Sequence, residues 1–141
     1  MTYRLRATHY GSTWYHSHFS AQYSDGLMGP LIFNGPATAD YDEDLGLVFL
    51  QDWLHSPTTM AGWNFKQQFG ITQSMTDILI NGTNTFDCSA VSDPNCVGGG
   101  KKFQTVFQPG KKYLLRLVNV AVNSHFPVSY THLTLPTKRI V

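Results

Sequence analysis

Trp14-Tyr15-His16-Ser17-His18 is the stretch on which the reading of this chain turns. Two histidines stand two residues apart in a segment of strand-like composition. Side chains at i and i+2 share one face of a strand, and each residue advances the chain by roughly 3.3 Å. The two imidazoles would then point the same way, with their bases roughly 6–7 Å apart. Such a pair offers two nitrogen ligands to one metal ion or to two neighbouring ions. Imidazole favours copper, zinc, iron or nickel over magnesium or calcium, and spacing leaves the choice among them open. The alternative is a pair of ordinary rings hydrogen-bonded in a surface groove.

The residues around this stretch set the frame. The chain has 141 residues, 42% hydrophobic and only 13% charged, with a formal net charge of +1. That is globular material for one domain or for parts of two. Lys101-Lys102 and Lys111-Lys112 read as a solvated rim around a strand, not as the basic patch that nucleic acid requires. No apolar run approaches the ~20 residues of a membrane span. Neither nucleic acid nor membrane is therefore expected as a partner.

Met1 is followed directly by the strand-like Thr2-Tyr3-Arg4-Leu5-Arg6, not by a secretory leader. This is expected of a cytosolic protein, or of a chain whose true beginning lies upstream. Cys88 and Cys96 bracket a Ser/Asp/Pro loop. They read as a local disulfide, because a metal site would need further ligands. Asn81-Gly82-Thr83 is an acceptor sequence for N-glycosylation. Both features favour a secreted parent.

Alternating and apolar runs predict a mostly β chain. Strands are expected over residues 3–9, 13–18 and 28–33, with a turn at Asp25-Gly26 and a breaker at Asn34-Gly35-Pro36. Residues 37–44 are small, polar and acidic, and read as a linker between two units. Residues 45–53 are dense in Leu, Val and Phe, as in a strand covered on both faces. Ser56-Pro57 opens a short helix or ordered loop over residues 57–68. A strand over 77–81 then ends at the turn Asn81-Gly82. Strands over 102–107 and 112–120, joined at Pro109-Gly110, are expected to form a hairpin. Short strands with such punctuation predict a β-sandwich or barrel.

At this point the residues resemble a known family. Residues 11–23, reading GSTWYHSHFSAQY, are followed by Asp25-Gly26-Leu27 and Gly29-Pro30-Leu31-Ile32. Together they resemble the second copper-ligand motif of multicopper oxidases, and the wording is nearest to the laccases of filamentous fungi. The likeness continues through Asp52-Trp53-Leu54-His55, Ile78-Leu79-Ile80-Asn81-Gly82, Pro109-Gly110-Lys111 and residues 115–120. It covers residues 3 to about 126.

The resemblance implies an all-β, cupredoxin-like (plastocyanin-like) Greek-key sandwich, incomplete and in parts of two domains. Residues 1–36 would close the first domain, 37–44 link, and 45–127 begin the second. It also implies that His16 and His18 each ligate a different copper of a type 3 pair. The activity implied is one-electron oxidation of phenols or aromatic amines, coupled to reduction of dioxygen to water. Trp14 would share the histidine face and wall the cluster or simply pack. Tyr15 and Ser17 would face their own sandwich. Gln22 and Asp25 would be partners behind the ligands, since metal-bound histidines usually donate their other N–H to an acceptor; for Asp25 a turn-fixing role is preferred. His9, His55 and His125 are expected to be structural, and the resemblance implies that part of residues 60–76 helps shape the rim of a substrate pocket.

The chain departs from the family pattern in three places. The upstream His-x-His is missing, and so is the His-Cys-His run that carries the type 1 cysteine. A fragment, inactive by itself, is therefore expected. Third, Val128-Ser129-Tyr130-Thr131-His132-Leu133-Thr134-Leu135-Pro136-Thr137 resembles a translated sequencing adapter. Residues 128–141, His132 included, are accordingly expected to be a non-native tail. Two other functions remain in view: an oxidase of ferrous iron or ascorbate on the same fold, and a copper-free cupredoxin-like module for binding or cell-wall architecture.

Overall fold

A computed structural model describes residues 2–20, 22–55, 64, 66–70 and 75–129. Among these described residues the backbone forms seven strands: β1 (Gly11–His16), β2 (Met28–Phe33), β3 (Glu43–Trp53), β4 (Asp77–Ile80), β5 (Thr85–Phe86), β6 (Gly99–Gly100) and β7 (Tyr113–Asn119). Short 3-10 turns stand at Gln22–Asp25 and Cys88–Ala90.

β1 and β2 make an antiparallel ribbon in which Trp14 faces Pro30 and His16 faces Met28. Two tyrosines cover glycines along it. A Cβ at Gly29 would collide with the ring of Tyr15, and one at Gly35 with the ring of Tyr10. Tyr15 nevertheless remains 59% exposed, so it covers its cross-strand neighbour but does not enter a core as expected.

The second unit is a three-stranded sheet in the order β4-β3-β7. β4 runs antiparallel to β3, with Leu50 opposite Ile80, and β7 runs parallel to it, with Val48 opposite Leu117. The small core lies here: Val48, Leu54, Val118 and Val120 are its buried apolar side chains among the described residues. The Asn81-Gly82 turn behaves as its sequence demands. Both residues have positive φ (48° and 71°), and Ile80 and Thr83 exchange backbone hydrogen bonds across it. This is the pattern of a two-residue hairpin loop. Asn81 Oδ1 also accepts the Phe49 N–H at 2.7 Å, tying the turn to β3.

Asp52 is the most deeply buried polar residue described, at 2% exposure. Its carboxylate accepts the backbone N–H groups of Val122, Asn123 and Ser124 at 2.8, 3.0 and 2.9 Å. The chain leaving β7 is thereby wrapped around the end of β3. Cys88 and Cys96 are joined in a disulfide with Cα atoms 5.9 Å apart, and Asp87 caps the turn between them by accepting the Ser89 N–H.

Three expectations are corrected. Residues 3–9 are not a strand. They alternate in character, but no strand among the described residues pairs with them in a ladder, and Leu5 stays 75% exposed. Residues 102–107 form no strand either, so the expected hairpin about Pro109-Gly110 is absent. Val106 is 85% exposed, whereas β7 buries Val118 by pairing in parallel with β3. Third, β1 stops at His16, and His18 lies beyond it. The expectation for residues 57–68 falls largely outside the described residues, as do most of the supposed rim at 60–76 and the tail from 130 with His132.

Candidate metal centre

The end of β1 presents a row of rings. Trp14 and His16 occupy i and i+2 of the strand, and their centroids lie 4.4 Å apart. The His16 and His18 rings stand 6.1 Å apart, inclined by only 23°. The parallel disposition survives although His18 has left the strand. Both imidazoles are exposed, while Trp14 is half-buried.

Local hydrogen bonds set the chemistry of the row. His16 Nδ1 lies 2.9 Å from the carbonyl oxygen of Ser17. A carbonyl only accepts, so this nitrogen must carry the proton. In the neutral ring, Nε2 is then left with its lone pair for a ligand bond. A backbone carbonyl behind the imidazole is one of the usual orienting partners of a metal-binding histidine. The donor set also fits: two neutral imidazoles without carboxylates suit a borderline transition metal better than a hard cation.

The segment after the strand is held in a compact loop. Ser17 N–H donates to the Leu27 carbonyl at 2.9 Å, and Ser17 Oγ–H donates to Gln22 Oε1 at 2.5 Å. The Phe19 N–H donates to the same Oγ at 3.3 Å. Gln22 therefore braces the loop through Ser17 and not through an imidazole. Asp25 closes the 3-10 turn ahead of Gly26, whose φ is 95°. The same turn brings Tyr23 to 5.5 Å from His16, a neighbour that spacing does not find. Only the fold-back of residues 22–25 places it there.

The other histidines stand apart. His55 Nε2 lies 2.9 Å from Asp77 Oδ2, and its ring is 3.9 Å from that of Phe86. This pair braces β4 against the loop after β3. His9 Nδ1 contacts Thr8 Oγ1 at 3.1 Å, and His125 is exposed. Among the described residues no group of three or more His, Cys, Asp or Glu is assembled for a metal ion. No helix of the described residues is long and apolar enough to cross a membrane.

Comparison with known proteins follows the same two units. Two family profiles, both described as multicopper oxidase, match residues 1–38 and 44–135. Laccase-2 of Botryotinia fuckeliana is 57% identical over 135 residues, which is 96% of this chain and 23% of that protein. The crystal structure of the laccase from Botrytis aclada superposes with a TM-score of 0.76 at 62% identity, over 83% of this chain and 21% of that one. Fet3p, a multicopper oxidase that functions in iron import, matches at 28% identity with a TM-score of 0.58, over 81% of this chain and 19% of that one. The chain thus spans about a fifth of the length of these relatives.

Proposed function

The chain belongs to the multicopper oxidase family, and from that premise we propose that His16 and His18 are ligands of its copper centre, one to each ion of a type 3 pair. The whole protein is then a laccase-like oxidase that couples one-electron oxidation of phenols or aromatic amines to reduction of dioxygen to water. The observation that carries the ligand assignment is the His16 Nδ1–H bond to Ser17, which leaves Nε2 available beside a near-parallel His18 ring.

Bound copper supplies the change of oxidation state that both half-reactions need and that zinc lacks. The chain's own residues do the holding. Ser17 fixes the tautomer of His16, and Trp14 packs on that ring from inside the strand. The Ser17–Gln22 bond limits how far the His18 segment can swing. Two histidines do not complete a cluster, so further ligands belong to other parts of the whole protein.

The domain assignment is part of the same reading, with its boundary moved by two residues: 1–36 close one cupredoxin-like unit, 37–42 link, and the next opens at Glu43, where β3 begins and pairs with β7. A secreted parent is supported by the disulfide. In the acceptor triplet at Asn81, Oδ1 is occupied by Phe49, while Nδ2 is the atom that would take a glycan. We read residues 128–141 as non-native; ordinary coding sequence there, which the family match through residue 135 favours, would overturn that.

Copper analysis of the whole protein tests the assignment. His16→Ala and His18→Ala should each lower the copper content while the fold survives, because both rings are exposed. A full copper complement in both variants would refute it. A ferroxidase reading has one observation behind it, the likeness to Fet3p. Turnover of ferrous iron in preference to phenols would favour that reading over the laccase one.

A further inference from the structure

One side-chain bridge joins the histidine-bearing ribbon to the sheet of the second unit, and neither the ligand set nor the core accounts for it. Arg116, on β7, donates through Nε to Asp44 Oδ1 and Oδ2 at 3.1 and 2.9 Å. Its Nη2 lies 2.8 Å from Asp44 Oδ2. Its Nη1 donates to Ser12 Oγ, on β1, at 3.0 Å. The side chain is only 14% exposed.

A guanidinium presents its donors in a rigid planar fork, so a carboxylate along one edge fixes where the remaining N–H groups point. Asp44 is itself fixed, since its Oδ1 accepts the Gly46 N–H at 2.9 Å and its backbone pairs with Leu114 of β7. The guanidinium and carboxylate therefore form one rigid element of the second unit, and its outer N–H grips the first.

The point gripped matters. Ser12, Trp14 and His16 alternate along β1 and so share a face. Ser12 is the root of the face that ends in the ligand pair. We propose that Arg116 is a positioning residue for the metal centre: oriented by Asp44, it fixes the root of β1 through Ser12 and so sets where His16 and His18 stand relative to the second unit. This inference rests on the ligand role proposed above for the two histidines.

Scale supports it. A two-stranded ribbon is marginal by itself, so its orientation depends on what it is tied to. His16 lies four residues beyond Ser12, about 13 Å along the strand at ~3.3 Å per residue. A rotation of about 3° at the root would carry the ring by ~0.7 Å over that length. Metal–ligand distances hold to within about 0.2 Å, so a shift of this size reaches the site.

The test uses the whole protein loaded with copper and follows copper release to a chelator together with amide hydrogen exchange. Ser12→Ala removes the grip and leaves the Arg116–Asp44 pair; Arg116→Lys keeps the charge but loses the fork. Both should release copper about three- to tenfold faster, below the 10–100-fold typical of the direct partners of ligating groups. Exchange should quicken in β1 and stay unchanged in β3. Wild-type release in both variants would overturn the positioning role, and so would exchange quickened equally in β1 and β3, the signature of general destabilisation. His16→Ala separates the two readings. Copper loss there beside normal release from both Ser12→Ala and Arg116→Lys sinks the positioning role alone; a full copper complement removes the ligand assignment and this inference with it.

Discussion

The β1–β2 ribbon and the β4-β3-β7 sheet divide the labour of this chain. The ribbon holds the proposed ligand His16 and leads into His18, with almost no interior of its own: His16, His18 and Tyr15 are exposed, and tyrosine rings lie over Gly29 and Gly35. The sheet carries no metal-binding candidate but holds the buried apolar side chains Val48, Leu54, Val118 and Val120. It also holds a buried carboxylate satisfied by backbone N–H groups. A ligand pair needs reach and orientation, which a short exposed ribbon supplies. Stability needs buried area, which a ribbon cannot supply. Changes in the sheet should therefore cost stability first and function second, and changes in the ribbon the reverse.

The largest effect is expected from Asp52→Ala. Asp52 is 2% exposed and accepts three backbone N–H groups. A buried donor left without an acceptor costs about 1–3 kcal/mol, but these three are only part-buried and Asn123 is exposed, so water can take over some of them. The substitution should therefore destabilise the protein by about 1–3 kcal/mol. Urea unfolding measures this. A loss below about 1 kcal/mol would mean that water or rearranged backbone takes over the carboxylate's role, and that the sheet is less dependent on this residue than its burial implies.

The two regions also differ in how far their sequence announces them. The histidine pair is local: i and i+2 spacing gives an expected separation of roughly 6–7 Å, and the rings stand 6.1 Å apart. β2 at Met28–Phe33, the Asn81-Gly82 turn and the Cys88–Cys96 bridge are equally local, and each is found where its residues place it. What the sequence hides is non-local. β7 resembles the second arm of a hairpin until one sees that residues 102–107 have no face to bury, while β3, some 70 residues earlier in the chain, offers a parallel partner. Tyr23 reaches His16 only through a 3-10 turn, and Arg116 reaches Ser12 only once β7 is docked. The acidic stretch read as a linker is likewise anchored at its end. Asp42 accepts the Lys112 N–H, Glu43 pairs with Lys111, and Asp44 pairs with Arg116.

Gly29→Ala probes the ribbon. The added Cβ would meet the Tyr15 ring, yet that ring is 59% exposed and can swing aside. The stability loss should therefore be about 1 kcal/mol, at the low end of overpacking costs. Because Tyr15 is the direct neighbour of His16, copper retention should fall more than the melting temperature does. Equal loss of both, measured on one sample, would break the division between ribbon and sheet.

The smallest effect concerns acid. The Arg116 guanidinium, helped by the Gly46 N–H, holds the Asp44 carboxyl below its ordinary value. A group whose folded pKa is depressed contributes stability above its unfolded value, near 3.9, and loses it as pH falls through the folded value. The wild type should therefore exceed Asp44→Asn in stability by a constant margin above about pH 5, and the margin should shrink as pH falls below about 4. The pair is partly exposed, so the margin is modest and should narrow further in high salt. Glu43 acts oppositely on Lys111, raising its pKa, so that contribution is intact at neutral pH and fades only in strong alkali. Thermal unfolding of the two proteins across pH 3–7 resolves the acid limb. A margin independent of pH would show that Asp44 serves the junction through hydrogen bonds an asparagine can equally make, and that charge contributes nothing to holding the ribbon on the sheet.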